Sequence, residues 1–235
     1  MNTVPRPEDP QPNESLVEAR GVARTFGEGR SSVVAVHDVT CSIRAHDRIA
    51  LMGASGSGKT TLLHLLAGLD SPTVGTITWP AIGTRNDLRP GAVAVVFQGP
   101  SLLPALDVAE NVALPLLLRG VDADTARGLA LDALRSLGLE TMANKLPEEL
   151  SGGQAQRVAV ARVLADRPRL ILADEPTGQL DHATGLDVID ALLTAADLTG
   201  AALVVNTHDP LIANQLPRRW SMTAGQLTVT ERISC

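Results

Sequence analysis

Short apolar runs alternate with helical repeats along most of this chain. Runs typical of buried or half-buried strands occur at Leu16–Ala23, Val33–Ile43, Arg48–Met52, Val93–Phe97, Leu170–Ala173 and Ala202–Val205. Apolar residues spaced as on one face of a helix occur at Lys59–Leu69, Thr125–Leu137, Gly153–Leu164 and Thr184–Ala196. Because strands that alternate with helices build parallel sheets, the pattern predicts an α/β fold with a mostly parallel core sheet.

One stretch breaks this alternation. Residues 99–150 carry helical patterns and loops without a convincing strand, which predicts a helical lobe inserted into a core made of residues 16–98 and 151–235. Near the end of the chain, Trp220–Ala224 and Gln226–Thr230 flank Gly225 and predict an edge hairpin. Residues 1–15 are rich in Pro, Asn, Asp and Glu, which predicts a disordered leader.

A glycine-rich segment follows the predicted strand Arg48–Met52 and opens the next helix. It reads Gly53, Ala54, Ser55, Gly56, Ser57, Gly58, Lys59 and Thr60. In such a P-loop, backbone N–H groups and a helix N-terminus cradle phosphates, the lysine contacts the β and γ phosphates, and the Thr60 hydroxyl binds Mg²⁺. We include Thr61 among the nucleotide contacts. An ordinary glycine-rich turn is the alternative, but the flanking strand and helix favour the phosphate site.

Two carboxylates end the apolar run Leu170–Ala173. Ligands of parallel sheets bind beyond the carboxyl ends of the strands, so Asp174 is predicted to hold Mg²⁺ and Glu175 to activate the attacking water as general base. A strand that simply ends in surface acids would look the same when taken alone. The P-loop upstream favours the catalytic interpretation.

Residues 150–154 read Leu-Ser-Gly-Gly-Gln and open the helix before the acidic strand. Taken alone they could be a helix-capping turn. Together with the P-loop and the acidic pair, in this order and spacing, they resemble the signature motif of ABC (ATP-binding cassette) ATPases. The resemblance implies that Ser151, Gly152, Gly153 and Gln154 form a second anion site, which closes over the γ-phosphate of ATP bound to the opposite subunit. It also implies the fold of a P-loop NTPase of ABC type, in which an antiparallel β subdomain accompanies the mostly parallel core sheet and the inserted helical lobe.

Four more positions match motifs of that family. Phe26 stands where such cassettes stack an aromatic ring on adenine, and Gln98 matches the glutamine that senses Mg²⁺ and water. Asp181 ends a D-loop-like Gly-Gln-Leu-Asp segment that crosses the dimer interface in the family, and His208 matches the switch histidine that contacts the γ-phosphate. A lone Phe, Gln or His usually has a local structural role. Departures are confined to Ala155 and Gln179, and neither removes a catalytic group.

Composition narrows the possible partners. The 235 residues carry a net charge of -6 and a pI near 5.3, so nucleic acid is not expected as a ligand. The two cysteines are too few for a disulfide framework, and no apolar run approaches the length of a membrane span. The resemblance therefore implies a cytoplasmic ATPase that uses ATP and Mg²⁺, dimerises with a second copy of itself, and lies on the inner face of the membrane through a separate permease-type subunit.

Residues 97–104 and 110–120 look like the subgroup of macrolide-export, lipoprotein-release and cell-division cassettes. Export or lipid-side extraction is the function this implies, with the membrane partner docking between Gln98 and the helical lobe. Three alternatives stay open at this point. The cycle could drive a membrane partner that regulates cell-envelope enzymes, the chain could serve import, or it could be an ABC ATPase of translation or DNA repair.

Overall fold

The computed structural model describes residues 14–231, without the side chains of Arg30 and Glu231. Its strands are β1 (Ser15–Phe26), β2 (Val33–Arg44), β3 (Arg48–Met52), β4 (Val74–Thr78), β5 (Val93–Val96), β6 (Leu170–Asp174), β7 (Ala202–Asn206), β8 (Arg218–Thr223) and β9 (Gln226–Glu231). Its helices are α1 (Lys59–Leu66), α2 (Val108–Leu118), α3 (Ala123–Ser136), α4 (Gly152–Asp166), α5 (His182–Thr199) and α6 (Pro210–Ala213). The predicted leader lies outside the described residues up to position 13, but its last residue, Ser15, begins β1.

The central sheet has the strand order β5-β6-β7-β3-β8-β9. Neighbouring strands run parallel from β5 to β8, and only β9 is antiparallel, paired with β8 as the predicted edge hairpin. Asn206 of β7 is in register with both Leu51 of β3 and Asp174 of β6. The carboxyl ends of these three strands therefore form one edge of the sheet, where ligands of parallel sheets bind.

Both faces of this sheet are covered. Along β7, Leu203 and Val205 belong to one apolar cluster while Ala202 and Val204 belong to another, and all four are fully buried. The first cluster packs helices α2 to α5 on one face, and the second packs α1 and the antiparallel strands on the other. Burial on both faces explains why β6 and β7 read as continuous apolar runs.

The second sheet is antiparallel, with the order β2-β1-β4, as the predicted β subdomain requires. Its strand β4 is absent from the sequence prediction. None of its five residues is buried and Val74 is 63% exposed, so it lacks the apolar pattern that marks the other strands. Pairing with β1 decides its conformation, and the bond from Thr73 N–H to the Ala23 carbonyl (2.8 Å) begins that pairing.

Between β5 and the start of α4, the described chain contains helices and loops but no strand. Side-chain oxygens of Asp107 and Asp122 accept from backbone N–H groups in the first turns of α2 and α3, respectively. Buried Asn111 donates to the Leu103 and Leu106 carbonyls and holds the loop before α2. The division of the chain at residues 99 and 150 stays a prediction. No helix of residues 14–231 is long and apolar enough to cross a membrane.

Candidate active site

The glycine-rich loop connects the end of β3 to the start of α1. Gly58 is the N-cap of α1, with a left-handed φ of 99°, and no side chain in the described part of the chain caps the helix. Lys59, Thr60 and Thr61 lie in its first turn. The N–H groups of this turn are therefore available to an anion, and the helix dipole adds partial positive charge there.

Two neighbouring segments hold this loop in place. The β1–β2 register slips between Arg24, which faces Val36, and Thr25, which faces Val34, so a bulge forms at Ala35. Two residues after this bulge, His37 N–H donates to the Gly225 carbonyl (2.8 Å), and Gly225 N–H donates to the Ser57 carbonyl (3.0 Å). The hairpin turn between β8 and β9 is thereby hydrogen-bonded to both β2 and the loop.

Replacing Gly58 should destroy the loop. A Cβ at this position would lie 2.0 Å from the Ala35 carbonyl oxygen, and the φ of 99° is itself strained for any other residue. We expect Gly58→Ala to cost more than about 2 kcal/mol and to lower Tm by about 5 °C or more. Differential scanning calorimetry measures this change.

Gly56→Ala is the matched control, because Gly56 also has a positive φ of 75° but a Cβ there meets nothing within 4 Å. We expect it to keep Tm within about 3 °C of wild type, since only the backbone conformation is strained. Equal melting temperatures for the two variants would contradict the close approach of Ala35.

The Lys59 ammonium group lies inside the loop. Its Nζ donates to the carbonyls of Gly53 and Ala54, each at 3.0 Å, and the side chain is 4% exposed. Nearby, the buried Ser57 Oγ has no hydrogen-bond partner among residues 14–231. An ammonium group, an unpartnered hydroxyl and free helix N–H groups form a donor set that fits a triphosphate.

Asp174 lies at the end of β6 against this loop and is 8% exposed. Its Oδ1 accepts from Thr60 Oγ1 (3.0 Å) and from Asn206 Nδ2 (2.5 Å), and its Oδ2 is 3.8 Å from His64 Nε2. Mg²⁺ commonly binds one or two protein oxygens together with substrate phosphates and water. The Thr60 hydroxyl and the Asp174 carboxylate are suited to supply that protein share.

Glu175 has a left-handed backbone, with φ of 45°. Its N–H donates to the Asn206 carbonyl (3.1 Å) and its own carbonyl accepts from Gly178 N–H (3.0 Å), so this uncommon conformation is held from both sides. The carboxylate lies between Lys59 Nζ (3.9 Å) and His208 Nδ1 (4.0 Å). It therefore faces the phosphate loop from the next strand end.

Gln98 reaches the same region from the end of β5. A Cβ at Gly178 would lie 2.9 Å from Gln98 Nε2 and 3.5 Å from Glu175 Oε2, so both side chains lie close to the backbone at Gly178. Gln156 of α4 donates to the Phe97 carbonyl (2.8 Å) and ties this strand end to the signature helix.

The structure thus brings Lys59, Thr60, Asp174, Glu175, Gln98 and His208 to one edge of the sheet. Sequence reasoning missed His64 and left Asn206 without a role, although both lie beside Asp174. A signal existed for each. His64 is four residues after Thr60, on the same helix face, and Asn206 ends the buried strand β7 as Asp174 ends β6.

The signature residues lie elsewhere in the chain. Ser151 caps α4 through its Oγ, which accepts from Gln154 N–H (3.3 Å), and Gln154 Oε1 accepts from Ser151 N–H (3.0 Å). A Cβ at Gly153 would lie 2.1 Å from Thr184 Cγ2, and one at Gly152 would lie 3.5 Å from Leu180 Cδ2. Gly152 therefore lies beside the D-loop and Gly153 beside the first turn of α5. Among the described residues no hydrogen bond or ion pair joins residues 151–154 to residues 53–61.

Two residues predicted to contact the nucleotide, Asp181 and Phe26, lie outside the group of side chains at the sheet edge. Asp181 caps α5, and the hydroxyl and backbone N–H of Thr184 hold the pKa of its carboxyl below the usual range. Phe26 is the last residue of β1 and its side chain is 43% exposed. The nucleotide contacts assigned to these residues, to the phosphate loop and to the signature stay predictions.

A phosphate-binding loop between β3 and α1, with an acid at the end of a nearby parallel strand, defines a P-loop nucleoside triphosphatase. Residues 36–178 match the family model described as ABC transporter. The chain belongs to this family, which confirms the resemblance seen in its motifs. It is accordingly an ATP-hydrolysing cassette with ATP and Mg²⁺ as cofactors.

Similar curated proteins cover nearly the whole chain. The lipoprotein-releasing system ATP-binding protein LolD of Legionella pneumophila (strain Lens) is 40% identical over 226 residues, which are 93% of this chain and all of the relative. The LolD of Bordetella pertussis is 38% identical over 226 residues, 92% of this chain and 98% of the relative. Both carry the name of the lipoprotein-release cassettes in the predicted subgroup.

Solved structures agree with this assignment. A dimeric post-hydrolysis state of the ATP-binding cassette MJ0796, bound to ADP and Pi, has a TM-score of 0.82 at 34% identity and covers 94% of this chain and all of that chain. The cassette cbiO1 of Clostridium perfringens, part of the transporter complex cbiONQ, has a TM-score of 0.79 at 25% identity, with 93% and 89% coverage. The predicted fold class is thus confirmed by two cassettes.

Proposed function

We propose that this chain hydrolyses ATP to power the release of lipoproteins from a membrane, acting through a separate membrane subunit. The convergence of Lys59, Asp174 and Glu175 at one sheet edge carries the hydrolytic part of this proposal. The similarity to LolD proteins along nearly the whole chain supports the substrate class. In this function the chain lies on the inner face of the membrane, bound to its partner.

Each side chain at the sheet edge has a role in this proposal. Lys59 stabilises charge on the β and γ phosphates, and Thr60 and Asp174 hold Mg²⁺. Glu175 accepts a proton from the attacking water, while Gln98 and His208 orient that water and the γ-phosphate. Catalysis then consists of positioning and charge stabilisation around the phosphoryl group that is transferred.

A second copy of the chain completes the site. Ser151 and the amides of Gly152 and Gly153 begin a helix whose N-terminus suits an anion, yet the two glycines lie beside the D-loop and the start of α5 of their own chain. In a head-to-tail pair, the signature of one chain faces the phosphate loop of the other, as the family resemblance implies, and the similar cassette MJ0796 is dimeric. ATP then stabilises the closed pair because it contacts both chains.

A groove beside Gln98 offers the membrane subunit a docking surface. This cavity of about 400 Å³ lies between β5 and α2, and Leu69, Phe97, Pro115 and Leu118 supply apolar lining. Leu118 is 70% exposed and Phe97 is 38% exposed. An apolar groove of this size fits a short amphipathic helix, whose movement would reach the site through Gln98.

Substitution in this groove should separate the chain from its partner. We expect Leu118→Asp to lower co-purification of the membrane subunit at least about tenfold, because a charge would be buried in the apolar contact. Leu198→Asp is the control, since Leu198 is 57% exposed on α5, outside the groove. Tagged variants purified from detergent-solubilised membranes, with partner yield measured by quantitative mass spectrometry, test this expectation.

The complex of this chain with its membrane subunit also tests the substrate class. Reconstituted into proteoliposomes with an acylated lipoprotein, it should release that lipoprotein into the aqueous phase only when ATP and Mg²⁺ are present. ATP hydrolysis without release would overturn lipoprotein extraction and favour a mechanical role on envelope enzymes. Equal partner yields from the two leucine variants would overturn the groove as the docking surface.

A further inference from the structure

The ring of Phe26 is supported by a cation on one face. Arg24 lies two residues earlier on β1, so the two side chains share a face of the strand, and its Cζ lies 4.5 Å from the ring centroid. Phe26 is followed by Gly27, with φ of 75°, at the strand end. The arginine is thus a direct contact of a ring that is otherwise exposed at the rim of the domain.

The Arg24 guanidinium is itself fixed. Its Nε donates to Asp70 Oδ2 (2.8 Å), and the two side chains are 26% and 28% exposed. Asp70 follows the end of α1, where its own N–H donates to the His64 carbonyl (3.3 Å). A second bond, from Thr25 N–H to Thr73 Oγ1 (3.1 Å), joins the same loop to β1.

These contacts join two parts of one nucleotide site. Helix α1 carries the phosphate loop at its N-terminus, and the loop after its C-terminus carries the carboxylate that holds Arg24. The position of the Phe26 ring relative to the phosphate loop therefore depends on Arg24 and Asp70 as well as on β1.

We infer that Arg24 is a positioning residue for the adenine base. Its guanidinium lies over one face of the Phe26 ring and leaves the other face for the base. A ring already held by a cation loses less conformational freedom when the base binds. The inference rests on the proposed base-stacking role of Phe26.

Base-specific binding separates this role from a structural one. We expect Arg24→Gln to raise the Kd of ADP about two- to fivefold and to leave the Kd of ribose 5-diphosphate unchanged, because only ADP carries the base. Isothermal titration calorimetry with Mg²⁺ measures both ligands, and neither has a γ-phosphate to lose. Arg20→Gln is the matched control, since Arg20 lies on the same strand, pairs with Glu18 and is 75% exposed.

A double-mutant cycle with Phe26→Leu completes the test. In that background Arg24→Gln should not weaken ADP binding further, because the ring through which Arg24 acts is gone. Equal losses of affinity for ADP and ribose 5-diphosphate would overturn the inference, as would an unchanged Kd for ADP in Arg24→Gln alone. If Phe26→Leu itself leaves the Kd of ADP unchanged, the stacking role of Phe26 fails and the inference fails with it.

Discussion

Glu175→Gln should slow ATP hydrolysis at least about a hundredfold while the Kd of ATP stays within about twofold of wild type. The amide keeps the size of the side chain but cannot accept a proton from water. The backbone bonds that hold position 175 at φ of 45° do not involve the side chain, so the loop should keep its shape. A coupled phosphate-release assay and calorimetric binding give the two quantities.

Glu140→Gln is the control, because it makes the same chemical change at an exposed position distant in sequence from Glu175. This variant should hydrolyse ATP at the wild-type rate. Near-normal turnover in Glu175→Gln would remove Glu175 as the general base.

The same variant reports on the second copy of the chain. Because ATP persists in the slow variant, Glu175→Gln should shift from monomer to dimer when ATP and Mg²⁺ are added, as measured by size-exclusion chromatography with light scattering. A monomer at all ATP concentrations would contradict an ATP-stabilised pair formed by this chain alone.

Lys59→Ala should raise the Kd of ATP about ten- to a hundredfold and abolish measurable turnover. The ammonium group is the only side-chain charge that the phosphate loop itself contributes, and charge-assisted hydrogen bonds are worth about 1.5–3 kcal/mol each. Calorimetric titration with ATP and Mg²⁺ measures the change in affinity. The chain contains one other lysine, Lys145, and Lys145→Ala is therefore the matched control.

Thermal unfolding of the lysine variants shows whether a loss of ATP affinity is accompanied by a loss of stability. Lys59 Nζ donates to two carbonyls of its own loop, so a moderate fall in Tm is compatible with the expected loss of affinity. An unchanged Kd for ATP in Lys59→Ala would contradict the phosphate cradle, whatever its Tm.

Most elements of the core were predictable from the sequence because their side chains pack into the apolar interior, which gives each element a recognisable apolar pattern. Strand β6 is buried along its whole length and reads as a continuous apolar run, and β3 was predicted with its observed bounds. Strand β4 was not predictable, because it exposes its side chains and is stabilised by backbone pairing with β1. The apolar pattern of a short segment indicates which of its side chains are buried, but it does not indicate that the segment pairs with a distant strand.

The candidate site likewise has residues that were predictable from the sequence and residues that were not. Its chemical groups were evident in sequence, since Lys59, Asp174 and Glu175 lie in local motifs whose spacing specifies a strand end or a helix start. The neighbours of Asp174 were not evident. Asn206 reaches that carboxylate from a strand more than thirty residues away, and the sheet register alone places it there.

The sequence by itself determined the class of this protein, its nucleotide chemistry and the order of its motifs, because each motif is a short segment with its own backbone requirements. The tertiary structure alone decided that the bulge at Ala35 lies against Gly58, that Arg24 covers one face of Phe26, and that the signature glycines lie beside the D-loop and the start of α5 of their own chain. Those contacts join residues distant in sequence or depend on the path of a strand, and only packing fixes such distances.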